Sequence, residues 1–208
     1  MNVLLLGSGG REHAMAWKMS QSSLLSKLYV APGNAGTDQI ATNVVLDPMD
    51  FSAVDRYIRR NSINMLVVGP EAPLVAGIVD YFRASNKHKD LVIIGPPKAG
   101  ALLEGSKDFA KAFMARHNIP TADYATFKTG ELKQAKAYLD KRKPPYVLKA
   151  DGLAAGKGVI ITEDRKEAER TLEDMLENAA FGEAGSKVVI EQFMDGIEVS
   201  SFVVTDGS

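Results

Sequence analysis

Lys149 is the residue whose position most needs a chemical explanation. It lies in Tyr146-Val147-Leu148-Lys149-Ala150, an apolar run of strand length. Period-two alternation places it on the face of Val147, away from Tyr146 and Leu148. An ammonium group bordered by apolar side chains needs a partner, because an isolated buried charge is costly. The glycine loop that follows, Gly152-Leu153-Ala154-Ala155-Gly156-Lys157-Gly158, could supply one by holding a polyphosphate, with Lys157 as a second cation. Its Gly-x-x-x-Gly-Lys-Gly spacing is one residue short of a P-loop, and Gly158 stands where a magnesium-binding hydroxyl would be. It also joins two strands instead of a strand and a helix. A P-loop nucleoside triphosphatase is therefore excluded, which leaves a hairpin able to fold over phosphates.

Two further segments carry cations at helix starts. Gly7-Ser8-Gly9-Gly10-Arg11-Glu12 reads as a strand-to-helix turn whose backbone N–H groups favour an anion. A tight turn that needs glycine only for its backbone angles explains the same residues. Arg11 favours a phosphate site, since a cation there opposes the helix dipole unless an anion joins it. Glu12 occupies the third glycine position of a dinucleotide fingerprint, and the second strand ends without a ribose-binding carboxylate, so NAD is disfavoured. Lys107, in Glu104-Gly105-Ser106-Lys107-Asp108, breaks the same electrostatic rule, and a phosphate would repair it. A solvated lysine offset by Asp108 is the plainer reading. Asn34-Ala35-Gly36-Thr37 and Gly69-Pro70-Glu71 sit at strand ends where ligands collect in open α/β sheets, although turn chemistry serves equally well. Glu191 and Glu198 by themselves read as solvated surface. His13, Met15 and Trp17 read as packing residues.

The 25 Lys and Arg nearly cancel the 26 Asp and Glu, giving a net charge of -1. No global basic field is available to hold a nucleic acid, so anion binding must be local. Cysteine is absent, which excludes disulfides, thiolate zinc sites and cysteine nucleophiles. The three histidines, His13, His88 and His117, are too dispersed to suggest a metal motif. With 45 % hydrophobic and 25 % charged residues the composition is that of a globular chain. The start, MNVLLLGSGG, is too short an apolar run for a signal or membrane segment, and a cytoplasmic setting is expected.

These residues require a scaffold. Apolar runs at 2–6, 27–31, 64–69 and 91–95, each stopped by Gly or Pro, alternate with helical patterns such as Phe51, Val54 and Ile58. They predict a doubly wound parallel α/β domain. Ser106 is the expected cap of a helix bearing Phe109, Ala112 and Phe113 on one face. A smaller α+β unit should follow, with strands at 124–127, 146–150, 158–162, 187–193 and 198–204 and helices at 131–140 and 164–177. In the second helix, Ala168, Leu172, Met175 and Leu176 should turn inward. The Asp206-Gly207 turn signal has no return strand, so a piece of a longer chain is expected. The domain boundaries expected are 1–120, 121–190 and 191–208.

GSGGREHA (7–14), APGNAGT (31–37), VGPEAPL (68–74), LEGSK (103–107) and KADGLAAGKGV (149–159), with weaker AFG (180–182) and EQFMDGIEVS (191–200), occur in one order along nearly the whole chain. In that combination the sequence resembles the phosphoribosylamine–glycine ligase family of the ATP-grasp superfamily. The resemblance implies a pre-ATP-grasp domain followed by an incomplete ATP-grasp domain. It also implies ATP-dependent joining of glycine to 5-phosphoribosylamine through glycyl phosphate, in a monomer with no nucleic-acid or membrane partner. ATP would meet Lys107, Lys149, Gly152, Gly156, Lys157, Gly158, Glu191, Phe193 and Glu198, with 191–193 as adenine hinge and Glu198 on the ribose. The sugar phosphate and glycine would lie near Gly9, Gly10, Arg11, Asn34, Gly36, Thr37 and Glu71. Mg²⁺ or Mn²⁺ is expected in the complete enzyme, held by residues outside these 208, so the isolated piece should not turn over. Gln192 and Ile197 depart from the acidic residues the resemblance would place there.

Overall fold

The computed structural model describes residues 1–152, 158–178 and 187–199 together with Ser201, Val203 and Thr205. The chain divides into two compact units, Met1–Phe113 and Met114–Ser208.

In the first unit, β1 (Asn2–Gly7), β2 (Lys27–Pro32), β3 (Thr42–Asn43), β4 (Met65–Val68) and β5 (Val92–Ile94) form a sheet in the order β3-β2-β1-β4-β5. Every pairing is parallel. Helices α1 (Gly10–Ser20), α2 (Phe51–Arg60), α3 (Glu71–Ala76) and α4 (Ile78–Arg83) lie among the strands, and α5 (Lys98–Gly105) and α6 (Lys107–Arg116) follow β5. The apolar runs succeed as strands because both faces of the sheet are covered. Leu4, Leu6, Leu66 and Val68 pack with Val54 and Ile58 of α2 and Ile78, Val79 and Phe82 of α4. Val3, Leu5, Val30 and Val67 pack on the opposite side with Ala16 of α1. Burying each of these larger aliphatic side chains contributes about 1.5–3 kcal/mol. The doubly wound sheet expected from sequence is observed, with the two-residue β3 as an unforeseen edge.

The strand order creates one crevice. From β1 the chain steps outward through β2 and β3, then returns to the other side of β1 for β4 and β5. The carboxyl ends of β1 and β4 flank this reversal, where open α/β sheets accept ligands.

The second unit holds an antiparallel sheet, β6 (Tyr124–Lys128), β7 (Tyr146–Ala150), β8 (Val159–Thr162) and β9 (Lys187–Gln192), in the order β6-β9-β7-β8. Helices α7 (Leu132–Leu139) and α8 (Arg165–Leu176) cover one face. Ala168, Leu172, Met175 and Leu176 pack with Tyr146, Leu148, Val188 and Ile190, so the inward stripe of α8 is as expected.

Two expectations require correction. Trp17 is 56 % exposed, because the inward positions of α1 are Glu12 and Ala16 and residue 17 lies a hundred degrees round the helix from 16. On α6, Phe109, Ala112 and Phe113 share one half-buried face, and Ala110 and Lys111 are the buried positions. Among the described residues of 198–204 none belongs to a strand, and Val199 and Val203 are exposed. The expected loop residues Leu153–Lys157, the AFG segment and the Asp206-Gly207 turn lie outside the described residues.

Candidate functional site

The first cluster is built where β1 and β4 end. Glu12, in the first turn of α1, is only 4 % exposed. Its Oε2 accepts a hydrogen bond from the Gly9 N–H at 2.8 Å, and its Oε1 receives Arg11 Nε at 3.1 Å. Arg11 then spans the crevice. Its Nη1 donates to Glu71 Oε1 at 3.0 Å and its Nη2 to the Gly69 carbonyl at 2.7 Å. The glycines are required by this carboxylate. A Cβ on Gly7 would fall 2.5 Å from Glu12 Cγ, and one on Gly69 would fall 2.5 Å from Oε1. Gly7 also holds φ +126, a conformation that side chains other than glycine rarely adopt.

The electrostatics follow from these contacts. The hydrogen bond to Glu12 leads the effects that hold the Arg11 proton above its ordinary range, burial opposing it. Burial by itself would push the Glu71 carboxyl up, but its own backbone N–H and Arg11 outweigh that and hold it below the usual range. The anions that accompany Arg11 at the helix start are therefore the protein's own carboxylates. One guanidinium and two carboxylates sum to a net negative cluster, and about two-fifths of the Arg11 side chain is open to solvent.

A second brace shapes the neighbouring loop. Asn34 Oδ1 accepts from the N–H groups of Gly36 and Thr37 at 2.8 and 3.0 Å, and its Nδ2 donates to the Ser8 carbonyl at 2.9 Å. Thr37 is fully buried, and its hydroxyl donates to the Asn34 carbonyl and lies 2.7 Å from Asn43 Oδ1. Asn34 and Thr37 thus hold the loop after β2 against the loop after β1. The ring of His13 closes on Gly36, where a Cβ would meet it at 2.4 Å, in keeping with the packing role expected of it. Gly10 has open space beside it. Arg11, Glu71, Asn34 and Gly9 are brought together, while Thr37 is a buried support.

In the second unit, Lys149 Nζ donates to Glu191 Oε2 at 2.8 Å. The register explains the meeting. Lys149 pairs with Val189 and Val147 with Glu191, so the two charges lie diagonally on one face of adjacent strands. That face is opposite Tyr146 and Leu148, as alternation predicts. Glu191 is 8 % exposed, which replaces its reading as solvated surface. At the loop mouth the Ala150 N–H donates to the Gly158 carbonyl at 2.7 Å, and Gly152 holds φ +93. Phe193 and Glu198 follow β9 as exposed residues. Gly156 and Lys157 lie outside the described residues. Ser106 caps α6 as expected, accepting from the Phe109 N–H at 3.1 Å, and Lys107 is the first residue of that helix.

Sequence reasoning did not anticipate the work of Glu12 or Asn43. A carboxylate in a slot reserved for close helix packing was the available signal for Glu12, and nothing marked Asn43. Among the described residues no three His, Asp or Glu side chains converge in one place. Among them, too, no helix is long and apolar enough to cross a membrane.

Comparison with known proteins supplies the context. Residues 1–104 match the family model described as phosphoribosylglycinamide synthetase, N domain, and residues 105–208 match its ATP-grasp (A) domain. The chain is 53 % identical to the phosphoribosylamine–glycine ligase of Pasteurella multocida, over all of this chain and 47 % of that protein. It therefore spans about half the length of such curated relatives. The crystal structure of the same-named ligase from Thermotoga maritima superposes with TM-score 0.73 at 30 % identity, covering 95 % of this chain and 45 % of that one. The biotin carboxylase domain of Hydrogenobacter thermophilus 2-oxoglutarate carboxylase, solved with MgADP and bicarbonate, matches with TM-score 0.65 at 16 % identity, over 93 % of this chain and 44 % of that one. That last likeness concerns the fold alone.

Proposed function

Because the chain belongs to the phosphoribosylglycinamide synthetase family, we propose that it forms the N-terminal part of an ATP-dependent ligase that joins glycine to 5-phosphoribosylamine. The observation that carries this reading is the coverage of the whole chain by the family's N and ATP-grasp domains in order. Consistent with it, each unit holds charged groups at an edge suited to a ligand.

The glycine carboxylate attacks the terminal phosphorus of ATP and ADP leaves, giving glycyl phosphate. The amine of phosphoribosylamine then attacks the acyl carbon and loses a proton, and phosphate leaves with one former carboxylate oxygen. Two anions must be held close and their charge offset, which calls for fixed cations and N–H donors. Lys107 and Lys149 take the nucleotide phosphates, with Gly152, Gly156, Lys157 and Gly158 closing over them. Lys149 then exchanges part of its bond to Glu191 for the phosphates. The backbone of Glu191 to Phe193 takes the adenine and Glu198 the ribose. At the β1–β4 crevice, Gly9 lines the site with its own N–H held by Glu12, while Gly10 offers its N–H to the sugar phosphate. Arg11 and Glu71 take its polar groups, and Asn34, Gly36 and Thr37 hold the loop in place. The net negative charge of the Arg11 cluster suits the amine or hydroxyls better than the phosphate.

The test is phosphate release by the complete protein with ATP, glycine and phosphoribosylamine. Release that requires both co-substrates, with ¹⁸O passing from the glycine carboxylate into phosphate, supports the reading. ATP binding without turnover would indicate a regulatory nucleotide module, and release with a different acid would indicate another ATP-grasp ligase.

A further inference from the structure

Glu12 has no role yet in the chemistry, although it is the most buried carboxylate at the β1–β4 crevice. A one-sided cap of its helix, the Glu12 side chain reaching back to the N-cap residue, accounts for one oxygen, the Oε2 that accepts from the Gly9 N–H. It leaves unexplained why the side chain is 4 % exposed, why Gly7 at the end of β1 and Gly69 just after β4 give way to it, and why Oε1 is held on Arg11. Burying a carboxylate is unfavourable unless a cation and hydrogen bonds offset it, and an apolar side chain would fill the space at less cost. What the carboxylate does that an apolar group could not is orient the guanidinium. With Nε fixed on Glu12, Nη1 reaches Glu71 and Nη2 the Gly69 carbonyl, so a chain of three charges runs from the buried interior to the open crevice. Three of the five N–H groups of Arg11 are thereby committed to the protein, and two are left for a ligand.

We propose that Glu12 is a positioning residue for phosphoribosylamine, fixing Arg11, and through it Glu71, before the substrate arrives. This rests on the ligase reading above. Substrate would otherwise have to order a flexible arginine and an exposed glutamate as it bound.

The test uses the complete ligase. Glu12→Gln retains the shape and an acceptor for Gly9 but loses the charge that holds Arg11. It should raise the KM for phosphoribosylamine on the order of ten-fold, with the KM for ATP unchanged. Arg11→Met should raise the same constant, and adding Glu12→Gln to it should produce little further rise, because the two act as one unit. Arg11→Lys keeps charge but loses the fork, and should resemble Arg11→Met; it serves if Glu12→Gln does not fold. An unchanged phosphoribosylamine KM in Glu12→Gln, whatever its melting temperature, would overturn the proposal, as would fully additive effects. These failures would come with normal turnover by the unsubstituted enzyme. If that enzyme itself gave no turnover with glycine and phosphoribosylamine, the ligase reading would fall, and this proposal with it.

Discussion

Substituting Lys149 by methionine leaves the Glu191 carboxylate, 7 % exposed, without the ammonium that lies 2.8 Å away. Exposed ion pairs contribute about 0–1 kcal/mol, while breaking a buried one costs about 3–5 kcal/mol. The Lys149 side chain is 28 % exposed and its partner is nearly dry, so this pair falls between the two limits. A loss of about 2 kcal/mol is expected, read as a lower denaturant midpoint with unchanged slope. Lys149→Met combined with Glu191→Leu removes the buried carboxylate as well and should recover most of that loss, since apolar replacement of a buried pair is often neutral. A far-ultraviolet denaturation series on the four proteins of this cycle measures both terms. A single variant within about 0.5 kcal/mol of the parent, or a double variant no better than the single, would refute the view that burial of Glu191 makes this pair structurally significant.

Two further outcomes follow from the packing. Asp55 lies 2.6 Å from His88 Nε2 and 3.0 Å from Arg59 Nη2. Burial pushes its carboxyl up, but the two partners outweigh that and hold it below the ordinary value. A depressed carboxyl stabilises the fold above the unfolded pKa of about 3.9 and loses that contribution as pH falls through its lower folded value. Thermal melts of Asp55→Asn should therefore converge on the parent below about pH 4, and a constant difference down to pH 2 would contradict this. Gly69→Ala would bring a Cβ to 2.5 Å from Glu12 Oε1. A loss of about 1–3 kcal/mol in chemical denaturation is expected, and an unaffected midpoint would show that the carboxylate is not confined there.

The sequence was most legible where a pattern is local. Unbroken apolar runs gave the parallel strands because both faces of that sheet are covered, and alternation alone placed Lys149 on the face of Val147. Contacts between distant segments were hidden. Nothing in residues 7–12 indicates that Glu12 will meet Gly69, which arrives only when β4 lies beside β1. Likewise Glu191 looks solvated until β9 is set diagonally against Lys149, 42 residues away. At 198–204 the alternation has no counterpart in a strand among the described residues, where Val199 and Val203 are exposed. Trp17 was misjudged by residue type, since its angular position on α1 decides its exposure.

The most direct measurement is equilibrium titration of the complete protein with ATP at 25 °C, comparing the parent with Lys107→Met and Lys149→Met. If these two ammonium groups hold the nucleotide phosphates, each substitution weakens ATP binding by about ten-fold or more. Undiminished affinity in folded samples of both variants would contradict that placement.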